Sequence, residues 1–206
     1  MQTKDHWENI YVEKGGRGVS WFQEHALASL EIIRRTAVSK SAKIIDVGGG
    51  ASTLVDDLLG EGYRDLTVLD ISAKALNAAK LRLGGNGGLV NWIEADITEA
   101  VLPGRHYGVW HDRGVFHFLT DPQARRKYVE AVLHAVKPGG HVIVATFGPD
   151  GPLQCSGLPI VRYSPETLHD EFGGQFLLVE HKEEAHVTPT GAVQQFIYCY
   201  CRKQDG

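Results

Sequence analysis

Lys43-Ile44-Ile45-Asp46-Val47-Gly48-Gly49-Gly50-Ala51-Ser52 is an apolar run with an acid near its end, breaking into three glycines. The run has the length and composition of a buried strand. Glycines let backbone approach a ligand closely, and the helix that follows, with Leu54, Val55, Leu58 and Leu59 on one face, would offer unpaired N–H groups at its start. Strand, glycine loop and helix together suit a ligand bearing a carboxylate or phosphate.

The same cycle repeats downstream. Residues 66–69 form a second strand, and Ser72 is placed to cap a helix carrying Leu76, Ala79 and Leu83. A third strand is expected at 89–93 and a fourth near 107–111. Asp121-Pro122 opens a helix with Val129, Val132, Leu133 and Val136 inward, and Lys137-Pro138-Gly139-Gly140 should stop it before a fifth strand at 141–147. A Pro/Gly-rich loop at 148–159, a helix at 165–172 and an antiparallel hairpin at 176–186 and 193–201 complete the pattern. Upstream, a helix at 22–36 shows an apolar stripe of Leu27, Leu30 and Ile33, preceded by Trp7, Tyr11 and Trp21. Alternating strands and helices imply an α/β fold with a mostly parallel sheet and a ligand at the carboxyl ends of its strands.

Two further acids fall at such ends. Asp70, 24 positions after Asp46, closes the second strand, where a carboxylate can accept from both hydroxyls of a ribose; Asp96 follows the third. Either could instead cap a helix or shape a turn. Thr53 stands where a dinucleotide fingerprint needs its third glycine, and no Gly-Lys-Ser/Thr follows the loop, which argues against NAD and against a Walker-type phosphate loop.

An acid before a glycine loop, an acid after strand two and an acid after strand three resemble the class I methyltransferase family over about residues 43–147. The resemblance implies a Rossmann-like seven-stranded sheet with an antiparallel last strand, helices on both faces, and S-adenosylmethionine as cofactor, released as S-adenosylhomocysteine. It implies that Gly48 and Gly50 approach the methionine moiety, Asp46 orients its amino-acid end, Asp70 holds the ribose, Asp96 meets the adenine amine, and Ile71 and Ile97 flank the ring. Asp112 and Trp21 complete the implied cofactor set.

Trp110-His111-Asp112-Arg113-Gly114, read with the aromatic arm, is similar to the thiopurine-type small-molecule methyltransferases. Arg113 is the expected acceptor-side residue, with His111 and His117 as candidate bases. The Asn-Pro-Pro-Tyr-like signature of adenine-methylating enzymes is absent from the sequence. The expected reaction is in-line methyl transfer to a small molecule, a thiol or other soft nucleophile. A protein-lysine methyltransferase and a noncatalytic cofactor-binding subunit are the alternatives.

A net charge of −4 argues against a general phosphate-backbone binder, so no nucleic-acid partner is expected. No apolar stretch reaches membrane-spanning length. Cys155, Cys199 and Cys201 cannot all pair within one chain, which suits reduced thiols in a cytoplasmic protein. His186 with the last two cysteines lacks the close ligand spacing of a zinc site, and no metal is expected. One domain is expected over 1–206, divided into an arm at 1–38, a cofactor core at 43–147 and an acceptor-side segment at 148–206.

Overall fold

The computed structural model describes residues 3–205. Two arm helices, α1 (Lys4–Lys14) and α2 (Leu27–Arg35), precede β1 (Lys43–Val47), α3 (Leu54–Gly60), β2 (Asp65–Asp70), α4 (Ala73–Leu83) and β3 (Val90–Glu94). Then come β4 (Tyr107–Arg113), α5 (Pro122–Ala135), β5 (Val136–Phe147), a small hairpin of β6 (Gln154–Cys155) and β7 (Leu158–Pro159), α6 (Pro165–Phe172), β8 (Phe176–Val187) and β9 (Val193–Lys203).

Seven strands form one sheet in the order β3-β2-β1-β4-β5-β9-β8, with β9 antiparallel to both of its neighbours. The chain leaves β1 toward β2 and β3, then returns to add β4 and β5 on the other side. That reversal opens a crevice at the carboxyl ends of β1 and β4, where ligands of open α/β sheets bind. Apolar residues on the two faces build separate cores. Ile44, Val68, Val109 and Ile143 pack under α2 and α3, while Ile45, Trp110, Val142 and Val144 pack under α5 and α6. Alternation along the strands also sends Cys199 and Cys201 to one face and Tyr198 and Tyr200 to the other, as expected from their spacing.

Local chemistry accounts for the helix starts. Ser72 accepts from the Ala75 N–H at 3.1 Å, Asp121 accepts from the Gln123 N–H at 3.1 Å ahead of Pro122, and Ser164 forms a capping box with Thr167. Three expectations need correction. The arm helix begins at Leu27 rather than residue 22, and Leu27 is 65% exposed, so Leu30, Ile32 and Ile33 form the buried stripe. Val136, expected on the inner face of α5, instead begins β5. Lys137-Pro138-Gly139-Gly140 does not precede β5 but lies inside it. Tyr107 pairs with Val136 while Val109 pairs with His141, so the extra residues bulge from the ladder, a position that tolerates proline and glycine.

Candidate active site

A cavity of about 420 Å³ runs along the carboxyl ends of the strands. One end lies beyond β1, β2 and β3 and is lined by Gly48, Asp70, Ile71, Asp96 and Ile97. The other lies beyond β4 and β5 and is lined by Arg113, His117, Phe147, Cys155 and Phe196. A recess of about 40 Å³ shares Trp21, Gly48 and Arg113 with the cavity and reaches Asp46 and His111 behind the glycine loop.

The glycines do different work. Gly48 has φ of +68°, its N–H donates to the Leu69 carbonyl at 2.7 Å, and a Cβ there would stand 1.9 Å from Val115 Cγ2. Its bare backbone is cavity wall. Gly50 does not line the cavity; a Cβ there would lie 2.6 Å from Asp70 Oδ2 and 3.1 Å from the Tyr11 hydroxyl. Gly50 therefore lets the Asp70 carboxylate and the arm close against the loop.

Asp70 is 7% exposed, and its Oδ1 accepts from the Ser72 N–H at 2.8 Å. Burial, reinforced by the negative charges of Asp46 and Glu8, pushes its carboxyl up to about 7 despite the backbone N–H groups of Ser72 and Ile71. It is a buried acid short of donors. Beside it, burial and then the Asp70 charge raise the Tyr11 phenol far above its ordinary value. Asp96 Oδ1 accepts from both the N–H and the hydroxyl of Thr98 at 2.8 Å, so this acid shapes its turn and lines the cavity as well.

The residues of β4 divide sharply by direction. His111 points into the core beneath the glycine loop. Its Nδ1 donates to Asp46 Oδ1 at 2.7 Å, and its Nε2 meets the Ser29 hydroxyl at 2.8 Å, so both ring nitrogens are engaged. Asp112 is fully buried on the opposite face. It accepts from the N–H groups of Val115 and Phe116 at 2.9 and 3.1 Å and from the Tyr128 hydroxyl at 2.6 Å, and it does not line the cavity. These three bonds fold the turn that follows β4 back under the cavity floor.

Arg113 reaches the cavity with its guanidinium already committed. Nη2 donates to Glu184 Oε2 at 3.1 Å, Nε donates to the Tyr198 hydroxyl at 3.0 Å, and Nη1 donates to the Trp21 carbonyl at 3.3 Å. The planar group also lies 4.0 Å from the centroid of Phe196. Gln23 donates to the other oxygen of Glu184 at 2.7 Å, so one ion pair ties β4 and the hairpin to the arm at two points. Aromatic contacts extend that docking. Trp7 meets Phe118 and Trp21 edge-to-face at 5.0 and 5.8 Å.

His117 is 1% exposed and caged by Phe118 and Phe147 at 4.6 and 4.7 Å between ring centroids. Its Nδ1 accepts from the Phe147 N–H at 3.2 Å, so the proton of the neutral ring sits on Nε2, which has no hydrogen-bond partner. Burial and then the Arg113 charge hold its basicity down to about 3. Neither nitrogen keeps a free lone pair for a proton. Cys155 is buried in the same wall, and burial pushes its thiol up to about 11.

Sequence reasoning did not single out Glu184, Phe196, Tyr128 or Ser29. Glu184 faces Phe196 only because of the register of β8 on β9, and no local pattern announces that pairing. Among the described residues no cluster of ligating side chains could hold a metal ion, and no helix is long and apolar enough to cross a membrane.

Comparison with known proteins agrees with this geometry. Residues 44–140 match the methyltransferase domain family model. The eEF1A lysine and N-terminal methyltransferase of Mus musculus is 27% identical over 122 residues, 59% of this chain and 17% of that protein. The ubiquinone biosynthesis O-methyltransferase of Pectobacterium carotovorum is 34% identical over 106 residues, 50% of this chain and 42% of that protein. The chain thus spans less than half the length of either relative. A structure solved for the conversion of a disulfide bond into a thioacetal group during echinomycin biosynthesis superposes with a TM-score of 0.80 at 16% identity, over 98% of this chain and 92% of that one. The fold and the matched core define a class I methyltransferase domain. Residues 44–140, just under half of the chain, thus carry the match to a methyltransferase domain, and the structures with the same fold include S-adenosylmethionine-dependent methyltransferases.

The residues present suit that family's cofactor. Gly48 presents bare backbone to the cavity, and Asp70 is a buried carboxylate lacking donors such as a ribose diol would bring.

Proposed function

We propose that this protein transfers a methyl group from S-adenosylmethionine to a small-molecule acceptor bound between Arg113, His117 and the arm. The observation that carries this reading is the single cavity joining the donor-poor Asp70 carboxylate to an aromatic chamber beneath the docked arm. When bound, S-adenosylmethionine supplies a methyl already activated on a positively charged sulfur.

The chain's own residues hold and orient. Asp70 accepts from the ribose hydroxyls, Ile71 and Ile97 flank the adenine, and Asp96 takes its amine through the carboxylate oxygen not spent on Thr98. Gly48 admits the methionine chain toward the recess lined by Asp46. Trp7, Tyr11 and Trp21 exclude water, and Arg113 fixes the arm that carries Trp21. Dry surroundings and a held geometry are what in-line displacement at a sulfonium needs. An arm packed across the chamber leaves room for a small acceptor more readily than for a folded protein, which favours a small molecule over a lysine side chain.

Purified protein incubated with methyl-labelled donor in the presence of a cell extract tests the reading. Label is expected in small extractable products. Label confined to protein bands would transfer the assignment to a protein acceptor, and the absence of any label would point to a cofactor-binding subunit.

A further inference from the structure

Three buried polar side chains from three elements meet behind the glycine loop: Ser29 of α2, Asp46 of β1 and His111 of β4. Asp46 and His111 are direct neighbours in the register of the two strands, so their side chains leave the sheet on one face. His111 bridges the other two, with Nδ1 2.7 Å from Asp46 Oδ1 and Nε2 2.8 Å from Ser29 Oγ. Ser29 in turn lies 3.3 Å from the Tyr198 hydroxyl. The far end of this chain fixes the direction of each bond. Tyr198 gives its one hydroxyl proton to Glu184 and accepts from Arg113 Nε, so it has none left for Ser29. The Ser29 proton goes to the nearer of its two neighbours, the Nε2 lone pair, which leaves the ring proton on Nδ1, facing Asp46.

A carboxylate gripped by one oxygen has a set orientation. The other oxygen of Asp46 faces the glycine loop, where a Cβ at Gly49 would stand 2.5 Å from Oδ2. Ser29, Asp46 and His111 all line the recess of about 40 Å³ beside Gly48. One water needs about 10–15 Å³ of such space, so the recess admits a headgroup of a few atoms rather than a ring. We infer that His111 and Ser29 are positioning residues for an α-ammonium group: they aim Asp46 at the amino-acid end of the cofactor and make the site select nucleosides that carry that end. This rests on the methyl-transfer reading above and adds two residues to it. An ammonium only donates and a carboxylate only accepts, so the pair is charge-assisted and sensitive to how the carboxylate is turned. A side chain that merely filled the space of His111 would pack the core without aiming Asp46. Because Ser29 belongs to α2, the same bonds fasten that helix to the wall of the recess.

The test compares calorimetric binding of S-adenosylhomocysteine with that of methylthioadenosine, which shares the nucleoside and the thioether but lacks the amino-acid end. Wild-type protein is expected to prefer S-adenosylhomocysteine by at least about tenfold, the scale of one hydrogen bond to a charged group. His111→Phe keeps a ring in place and removes both nitrogens. It should lose about tenfold in S-adenosylhomocysteine affinity and leave methylthioadenosine unchanged, whereas a purely structural role would weaken both ligands together. His111→Asn returns an amide N–H near the Nδ1 position and should recover most of that loss. Ser29→Ala removes a single hydroxyl and should lose several-fold for S-adenosylhomocysteine alone, which carries the test if the phenylalanine variant does not fold. Equal losses for the two ligands, S-adenosylhomocysteine affinity indifferent to the histidine and serine variants, or a wild-type protein that binds both ligands alike would overturn the proposal. Binding of neither ligand to the wild-type protein would instead strike the methyl-transfer reading.

Discussion

Asp70→Asn is expected to raise the melting temperature of the cofactor-free protein at pH 8 while weakening S-adenosylhomocysteine binding by about tenfold to a hundredfold. Both effects have one cause. The Asp70 carboxyl, pushed from 3.8 up to about 7, carries a cost of about 4 kcal/mol in its ionised form in the folded chain. The sign follows from proton uptake. Between pH 4 and 7 the folded state holds a proton that the unfolded chain has released, so stability falls as pH rises through that window and the full penalty persists above it. Asparagine removes the charge, and its amide oxygen can still accept from the Ser72 N–H. The gain in stability should therefore be largest above pH 7 and vanish below pH 4.

Binding runs the other way. A ribose diol supplies the donors that the carboxylate lacks, so the cofactor prefers the ionised form, and wild-type affinity should fall as pH drops below 7. The asparagine variant should bind weakly and with a flat pH profile across that range. Thermal melts and calorimetric titrations at pH 5, 6, 7 and 8 read both trends. A variant no more stable than wild type at pH 8, or one that binds equally well, would remove Asp70 from its assigned place.

Arg113→Ala is expected to cost about 3–5 kcal/mol of folding stability, because it strands Glu184 as a buried charge without its cation. The two side chains are 8% and 14% exposed, far from the surface pairs that contribute little. Burial raises the Glu184 carboxyl, but the charge and hydrogen bonds of Arg113 outweigh it and hold the group below its ordinary value. Without Arg113 burial dominates and the group rises, so the variant should regain stability relative to wild type as pH falls toward 5. The double variant Arg113→Met with Glu184→Leu should recover most of the loss, since no charge is then left unpaired. Urea unfolding of the single and double variants measures this. The same substitution frees the Trp21 carbonyl and slackens the arm, so limited proteolysis within residues 3–26 should quicken in Arg113→Ala. A stability change under about 1 kcal/mol with an undisturbed arm would reduce the pair to a surface-like contact.

How much of this was legible in the sequence depends on how far apart the cooperating residues lie. The positions of Asp46, Gly48, Asp70 and Asp96 were readable because each sits at or just beyond the carboxyl end of β1, β2 or β3, where chain order alone fixes position. Ser72, Asp121 and the helix at Pro165–Phe172 were readable because a cap acts within one turn. The β4 end was harder. Adjacent residues of a strand face opposite ways, so His111 and Asp112 went into opposite cores and Arg113 back to the first side, and which faces were already filled depended on α2 and α5. The roles of Arg113 and His117 were set by partners 71 and 30 positions away, Glu184 and the Phe147 N–H. A ring nitrogen becomes donor or acceptor only once its neighbour across the sheet is known. Gly50 illustrates the same limit at short range: the loop composition showed that glycine was needed, but the approach of Asp70 and Tyr11 showed why.

The central claim is that a nucleoside cofactor lies across the ends of β1, β2 and β3 with its sugar on Asp70. A crystal structure with S-adenosylhomocysteine measures that directly. The account predicts both ribose hydroxyls within hydrogen-bonding distance of the Asp70 carboxylate and the adenine between Ile71 and Ile97. Nucleoside density bound elsewhere, or seated there with its hydroxyls turned away from Asp70, would contradict it.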